Sequence, residues 1–291
     1  MARSPGGPTG CTAWACLSPI LLCVEEPVSR VGDLSGRAAL VTGGARGIGR
    51  DLVRGLAAAG ARVGILDIRA DQGEALAAEF GSRCVRFRQC DVADPAAIEA
   101  AFAWGDDWLG RLDTLICCAG LDKPGFAAED IPLEAWDLLL DVNARGTFLA
   151  NQQACRRMKA QAADPGASII NFASYAGYRG MPDRAAYSAA KGAILGWTRA
   201  AARAWGPYDI TVNAIAPTMN TDVAQRYLAS VAPDVRARMD EERRATTPLG
   251  GRLGEVEDDL LPLILLLAGP GGRYMTGQTF AVDGGRTMVG S

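Results

Sequence analysis

The chain has 291 residues, of which 49% are hydrophobic and 22% charged, which excludes a disordered chain and allows a substantial globular core. A net charge of −3 and a pI near 5.2 leave no basic face for nucleic acid. There is no histidine, and the eight cysteines show neither paired metal spacing nor a disulfide framework, so we expect no metal site and no histidine base.

The first thirty residues differ from the rest of the chain. Their apolar run from Cys11 to Val24 superficially resembles a signal peptide, but it contains Pro19 and lacks a small-residue cleavage site before Glu25. The run is also too short to span a bilayer. We therefore expect residues 1–30 to form a flexible extension, with no membrane contact, and residues 31–291 to form a single catalytic domain.

Beyond the extension, apolar strands alternate with amphipathic helices without a break. This alternation predicts a single α/β domain whose parallel sheet is doubly wound, with helices on both faces. About seven strands are predicted, near 38–42, 62–67, 84–88, 113–117, 167–172, 209–214 and 278–282.

A glycine-rich turn follows the first predicted strand. Thr42-Gly43-Gly44-Ala45-Arg46-Gly47-Ile48-Gly49 separates that strand from an amphipathic segment ending at Ala59. Glycines let the backbone approach a pyrophosphate, and the first helical N–H groups attract the anion. The spacing differs from Gly-x-Gly-x-x-Gly, so a purely structural turn remains the alternative to a dinucleotide site.

The second strand ends in Asp67, roughly twenty residues after the glycine turn. An acid at this position can hydrogen-bond a ribose diol and would repel a 2′-phosphate, so Asp67 favours NAD over NADP. Arg46, inside the turn, favours the opposite choice because it could pair with that phosphate.

Tyr187 and Lys191 are four residues apart, so a helix would place the phenol and the ammonium on one face. We expect the cation to lower the pKa of the phenol and make it a usable proton acceptor. The alternative is an ordinary solvated pair.

Several motifs fall in the order of the short-chain dehydrogenase/reductase family, which the chain resembles from about Leu34 to Gly285. Thr42 to Gly49 resembles the family's Thr-Gly-x-x-x-Gly-x-Gly turn, and Asp91-Val92 its adenine-contacting acid. The serine that this family carries after its fifth strand is matched by Ser174, thirteen residues before Tyr187. The resemblance implies a Rossmann-like fold.

The resemblance also implies a catalytic set, which is Asn143, Ser174, Tyr187 and Lys191. Tyr187 would exchange the substrate proton while hydride passes to or from nicotinamide, and Ser174 would hold the same substrate oxygen. Lys191 would also bind the nicotinamide ribose, and Asn143 would hold a water of the proton relay.

The implied cofactor contacts lie on the loops that follow the strands. They are Gly43, Arg46, Gly47, Ile48, Gly49, Asp67, Ile68, Asp91, Val92, Cys118, Ala119, Gly120, Tyr187, Lys191, Pro217, Thr218 and Thr221.

Two positions depart from the family pattern. Cys117 and Cys118 stand where the family usually has two asparagines, and we expect them to behave as small buried hydrophobes. Thr218 replaces the usual glycine after Pro217 and adds bulk beside the nicotinamide position, which would narrow substrate choice.

We expect the stretch 219–252 to fold over the nicotinamide as a substrate lid. The candidate substrate contacts are Ser174, Tyr178, Met181, Tyr187 and Met219. No charged residue in the sequence marks an acidic or phosphorylated substrate, so we expect a neutral secondary alcohol or ketone, cyclic or polyhydroxylated compounds included.

Three interpretations remain. The first is an NAD-dependent alcohol dehydrogenase, the second an NADPH-dependent 3-oxoacyl-carrier-protein reductase, and the third a dinucleotide-binding scaffold without turnover. The cofactor implies a reducing cytoplasm. The segment Leu133 to Ala160 and the helix that carries Tyr187 have apolar faces, which this family commonly pairs across subunits, so a homotetramer is expected.

Overall fold

A computed structural model describes residues 32–123, 126–161 and 166–288. The extension predicted for residues 1–30 lies outside these ranges. The described residues belong to one compact unit, Val31–Ser291. Seven strands form one sheet in the order β3-β2-β1-β4-β5-β6-β9, and every neighbouring pair is parallel. This agrees with the predicted doubly wound fold.

The strands of this sheet are β1 (Ala38–Thr42), β2 (Arg62–Asp67), β3 (Val85–Gln89), β4 (Thr114–Cys117), β5 (Ala167–Phe172), β6 (Ile210–Pro217) and β9 (Thr279–Val282). A second, two-stranded parallel sheet pairs β7 (Met219–Asn220) with β8 (Gly254–Glu255).

The helices are α1 (Gly47–Ala58), α2 (Ala70–Ala78), α3 (Pro95–Leu109), α4 (Leu133–Leu139), α5 (Gly146–Ala160), α6 (Ala176–Arg179), α7 (Ala185–Trp205), α8 (Asp222–Ser230), α9 (Pro233–Thr246) and α10 (Leu261–Ala268). A π-helical stretch, Leu140–Arg145, joins α4 to α5.

Each face of the large sheet has its own core. On one face Leu52 and Leu56 of α1 pack with Ile264 of α10, and on the other Phe102 of α3 packs with Ala154 of α5. Because both faces are covered, the central strands are buried along their whole length, as the continuous apolar runs predict.

The predicted strand bounds are right for β1, β2 and β5, and they differ by one to three residues for the others. The largest difference is at β6, which continues to Pro217 instead of ending at residue 214. The reason is non-local: β5 pairs with β6 as far as Ile215, and β9 pairs with it as far as Pro217. The β7–β8 pair was not predicted, because two-residue strands carry no periodicity.

The sheet order reverses at β1, which lies between β2 and β4. In open parallel sheets the crevice beyond the carboxyl ends of the strands at such a point binds ligands. In the part of the chain that the structure describes, no helix has the length and apolar character needed to cross a bilayer.

Candidate active site

The glycine turn after β1 lies at this crevice. Gly43 has a φ of +67°, and a Cβ there would lie 2.5 Å from the Cα atom of Ala119, in the loop after β4. A Cβ on Gly49 would lie 2.1 Å from the carbonyl oxygen of Gly43. The turn is therefore closed by backbone contacts that only glycine permits.

A cavity of about 720 Å³ opens beside this turn. Its wall is built from the loops that follow β1, β2, β3, β4 and β5 and from one side of α8. All of the predicted cofactor contacts except Thr218 line it. Thr218 instead pairs through its backbone, donating to the carbonyl oxygen of Val282 and accepting from the amide of Gly254.

Asp67 is fixed at one end of this cavity. Its carboxylate accepts hydrogen bonds from the backbone amides of Ala45 and Arg69, both at 3.0 Å, and it is 7% exposed. These bonds hold a carboxylate beside the glycine turn. Arg46 lines the same cavity, and burial, with Arg69 nearby, lowers the pKa of its guanidinium.

This half of the cavity fits a dinucleotide. The turn around Gly43 and Gly49 has no room for Cβ atoms, which is the cradle that a pyrophosphate needs. Asp67 lines the same cavity and supplies a carboxylate that could accept hydrogen bonds from a ribose diol.

The other half holds the predicted proton-transfer residues. Ser174 follows β5, and Tyr187 and Lys191 share one face of α7. Ser174 and Tyr187 both line the cavity, and the Ser174 hydroxyl acts to lower the pKa of the Tyr187 phenol. Lys191 donates from Nζ to the carbonyl oxygen of Phe172 at 2.7 Å, so the end of β5 orients both Ser174 and the lysine.

The pKa values differ from the sequence prediction. Burial raises the pKa of Tyr187 to about 12, with the Asp122 carboxylate adding to the rise and the Ser174 hydrogen bond opposing it. Burial lowers the pKa of Lys191 to about 8. The prediction that Lys191 lowers the pKa of the phenol is therefore wrong in this structure, because both groups lose solvent and the loss disfavours each charged form.

Asn143 lies in the π-helical stretch and is fully buried. Its side-chain nitrogen donates to the carbonyl oxygens of Leu121 and Leu139, and its oxygen accepts from the amide of Leu121. A Cβ built on Gly120 would lie 3.0 Å from Asn143 Oδ1 and 3.5 Å from Lys191 Nζ. The amide and the ammonium therefore approach the same point from two helices.

Cys117 is buried as expected, whereas Cys118 is only half-buried and lines the cavity. Cys117 is 2% exposed, its Sγ accepts from the amide nitrogen of Asn151 at 3.2 Å, and Asn151 and Asn171 hydrogen-bond each other. Amides from α5 and β5 thus supply hydrogen bonding in this part of the sheet. Burial raises the pKa of both thiols, Cys117 and Cys118, to about 12, so neither is a thiolate near neutral pH.

Three of the predicted substrate contacts lie away from the cavity wall. Met219 belongs to the core on the α1 face, and Tyr178 packs against Ala173 and Ile194. Met181 is half-buried, and its amide donates to the hydroxyl of Ser188. Sequence alone does not separate apolar residues of a cavity wall from those of the core, since both positions carry the same residue types.

The structure adds charged and aromatic residues that sequence reasoning missed. Asp122 and Arg184 line the cavity and form an ion pair with each other, and Arg184 Nη2 donates to the hydroxyl of Tyr227 at 3.2 Å. The sequence does contain a signal for Arg184, because three-residue spacing from Tyr187 indicates that the two residues lie close together. Asp122 and Tyr227 reach it from a loop and from α8, which local spacing cannot reveal.

Of the predicted lid, α8 reaches the cavity. Val223, Ala224 and Tyr227 line it, and the hydroxyl of Thr221 caps the helix by accepting from the amide of Ala224. A Cβ on Gly47 would lie 3.2 Å from Val223 Cγ2, so α8 lies against the glycine turn.

Comparisons with known proteins agree with this geometry. Residues 43–287 match the family model described as enoyl-(acyl carrier protein) reductase. The chain is 34% identical over 260 residues to 2,5-dichloro-2,5-cyclohexadiene-1,4-diol dehydrogenase of Sphingobium indicum, covering 89% of this chain and 100% of that protein.

A second relative is trans-4-hydroxycyclohexanecarboxylate dehydrogenase of Sinomonas cyclohexanicum, 36% identical over 269 residues, with 89% of this chain and 96% of that protein covered. Among solved structures, a short-chain type dehydrogenase/reductase from Mycobacterium ulcerans superimposes with a TM-score of 0.79 at 29% identity. That match covers 87% of this chain and 90% of the other.

Proposed function

The chain belongs to the short-chain dehydrogenase/reductase family, and we propose that it is an NAD-dependent dehydrogenase of secondary alcohols that also reduces the corresponding ketones. The observation that carries this proposal is that Ser174, Tyr187 and Lys191 line the same cavity as the glycine turn and Asp67. A nicotinamide dinucleotide, when bound, accepts or supplies the hydride of such a reaction.

Tyr187 is the proposed general acid/base. In oxidation its phenolate removes the hydroxyl proton of the alcohol, and in reduction its phenol donates a proton to the carbonyl oxygen. The hydroxyl of Ser174 donates to the same substrate oxygen, which orients that oxygen toward Tyr187. Both hydroxyl groups lie on the wall of the same cavity, where they could share one substrate oxygen.

Lys191 and Asn143 are the proposed proton path. The buried Lys191 has a pKa near 8, so it exchanges a proton more readily near neutral pH than an exposed lysine does. Asn143 Oδ1 and Lys191 Nζ both lie within 3.5 Å of the position that a Gly120 Cβ would take. A proton leaving Tyr187 would pass by way of Lys191 and a water held by Asn143 toward solvent.

The proposed preference for NAD rests on Asp67. Its carboxylate, held by two backbone amides, is placed to accept from a ribose diol and to repel a 2′-phosphate. Arg46 on the same cavity wall favours the second candidate, an NADPH-dependent 3-oxoacyl-carrier-protein reductase. Relative rates with NADH and NADPH separate the two.

The proposed substrate is a neutral secondary alcohol, cyclic compounds included. Two relatives are named as dehydrogenases of a cyclohexadiene diol and of a hydroxycyclohexane carboxylate. Leu121, Leu138 and Val142 add apolar side chains to the wall of the same cavity, which suits a carbon ring. Within the stretch 219–252, α8 is the proposed lid, because it lines the cavity and carries no buried residue of its own.

The homotetramer and the cytoplasmic location are also part of the proposal. Phe148 of α5 is 37% exposed, and its ring meets that of Trp197 of α7 edge to face at 5.0 Å. These rings line an apolar surface hollow of about 290 Å³ together with Ala144 and Ala193. Such a face, shared by two long helices, suits pairing with a second copy.

The test is a screen of secondary alcohols and ketones with both cofactors, in which turnover is measured by the change in nicotinamide absorbance. We expect turnover of cyclic alcohols with NAD and weaker turnover with NADP. Tight cofactor binding without turnover of any alcohol or ketone would instead support the third interpretation, a scaffold.

A further inference from the structure

We propose that Asp122 and Arg184 form a specificity site for a second hydroxyl group of the substrate, so that the enzyme prefers neutral diols or polyols to simple secondary alcohols. This inference rests on the proposed function, since it assigns the substrate class of the same cavity. Asp122 is the acceptor, and Arg184 is a positioning residue that holds the carboxylate.

Both residues lie at the catalytic end of the cavity. Asp122 follows Gly120 in the loop after β4, and Arg184 immediately precedes α7, three residues before Tyr187. Both line the same wall as Ser174 and Tyr187. The negative charge of the Asp122 carboxylate also adds to the rise in the pKa of Tyr187.

Asp122 keeps hydrogen-bonding capacity toward the cavity. A carboxylate offers about four acceptor positions, and Arg184 Nη1 occupies one at Oδ2. The side chain of Asp122 is 32% exposed, against 17% for Arg184. The carboxylate can therefore reach a ligand while the guanidinium remains behind it, tied to Tyr227 as well.

The charges favour a neutral group. Arg184 is already neutralised by Asp122, and an anionic substituent would face the Asp122 carboxylate. Burial raises the pKa of Asp122 and Arg184 opposes that rise, so the ionised carboxylate is partly desolvated. A hydroxyl that donates to such a carboxylate makes a charge-assisted hydrogen bond, which is stronger than one between neutral groups.

The surrounding wall supplies the carbon contacts. Leu121, Leu138 and Val142 line the same cavity, so a carbon skeleton can pack there while its reacting hydroxyl meets Tyr187. A second hydroxyl on that skeleton then has Asp122 as its partner. An alcohol without that hydroxyl leaves the desolvated carboxylate without a donor from the ligand, which disfavours its binding.

The first experiment uses the wild-type protein. Initial rates with NAD are measured for cyclohexanol, cyclohexane-1,2-diol, cyclohexane-1,4-diol and 4-hydroxycyclohexanecarboxylate, and for 2-butanol against 2,3-butanediol. We expect kcat/KM to be about 10- to 100-fold higher for at least one diol than for its matched mono-alcohol, the range of a hydrogen bond to a charged group.

The second experiment compares two variants that each remove one carboxylate from an arginine pair. Asp122→Asn keeps the shape and a carbonyl acceptor but loses the charge, and we expect the ratio of diol to mono-alcohol kcat/KM to fall by about tenfold. Asp106→Asn is the matched control, because Asp106 pairs with Arg157 outside the cavity wall. Its ratio should stay at the wild-type value.

The outcomes are distinct. Equal kcat/KM for diols and mono-alcohols in the wild type would overturn this inference and leave the proposed dehydrogenase function standing. A preference for 4-hydroxycyclohexanecarboxylate would also overturn it and would make Arg184 an anion-binding residue. Absence of any oxidation would count against the proposed function itself. The wild-type comparison requires no variant to fold.

Discussion

The ammonium nitrogen of Lys191 lies 5.7 Å from the centre of the Tyr187 ring, one helical turn away on α7. Four-residue spacing puts the two groups on one face. The end of β5 then orients the lysine, because the carbonyl oxygen of Phe172 accepts a hydrogen bond from Lys191 Nζ. The two groups are neighbours that do not hydrogen-bond directly in this arrangement. The Ser174 hydroxyl, which lines the same cavity, opposes the rise in the pKa of the phenol.

Removing the phenol should stop the chemistry while leaving the cofactor site intact. In Tyr187→Phe we expect kcat to fall by about 10²- to 10⁴-fold, the usual contribution of a general acid/base. NADH binding should stay close to wild type, because the ring and its packing remain. Steady-state kinetics and fluorescence titration with NADH measure the two effects. Near-normal turnover in this variant would contradict the assignment of Tyr187 as the general acid/base.

Alcohol oxidation should accelerate with pH. Burial raises the pKa of Tyr187 to about 12, so at neutral pH almost all of the phenol is protonated, whereas oxidation needs the phenolate. We expect kcat/KM for oxidation to rise by about tenfold per pH unit above neutrality, and ketone reduction, which needs the phenol, not to rise. The primary deuterium isotope effect shows whether hydride transfer limits the rate. A flat oxidation profile with a full isotope effect would contradict this role.

Cofactor choice should depend on Asp67. In Asp67→Ser the repulsion of a 2′-phosphate is lost, so we expect the NADP to NAD ratio of kcat/KM to rise by at least about tenfold. Asp71→Asn is the control, since Asp71 is an exposed acid of α2 outside the cavity wall. If the ratio were unchanged in Asp67→Ser, the preference would have to come from other residues.

The glycine turn should not tolerate a methyl group. A Cβ on Gly49 would lie 2.1 Å from the carbonyl oxygen of Gly43, so Gly49→Ala should lower the free energy of unfolding by about 1–3 kcal/mol and weaken NADH binding. Gly105→Ala in α3 is the control, because its Cβ would meet Leu40 at an ordinary 3.4 Å. That variant should gain up to about 1 kcal/mol. Denaturant melts and NADH titrations test both variants. If Gly49→Ala changed neither the free energy of unfolding nor NADH binding, the close contact between residue 49 and the carbonyl oxygen of Gly43 would be refuted.

Assembly should depend on the exposed ring of α5. If the face of α5 and α7 joins subunits, Phe148→Glu should shift the protein from a tetramer to a smaller species, because a charge would be buried in an apolar contact. Tyr274→Glu changes another exposed aromatic residue, which is not part of either helix, and should leave the mass unchanged. Sedimentation velocity measures both. A wild-type protein that sediments only as a monomer would reject the proposed assembly.

Much of the fold was predictable from the sequence because its signals are local. The apolar runs of β1, β2 and β5 gave their bounds, since a strand buried on both faces is continuously hydrophobic. The glycine turn and the Tyr187 to Lys191 spacing were equally readable, because each depends on backbone geometry over fewer than ten residues. The alternation of strands and helices then predicted a parallel sheet.

The sequence by itself therefore determined the strands, the turn and the residues that face one another on a single helix. The tertiary structure decided what depends on contacts between distant segments: that burial raises the pKa of Tyr187, that Met219 lies in the core, and that Asp122 meets Arg184 across 62 residues of chain. Desolvation and ion pairing arise only when separate elements pack together, so no local pattern records them.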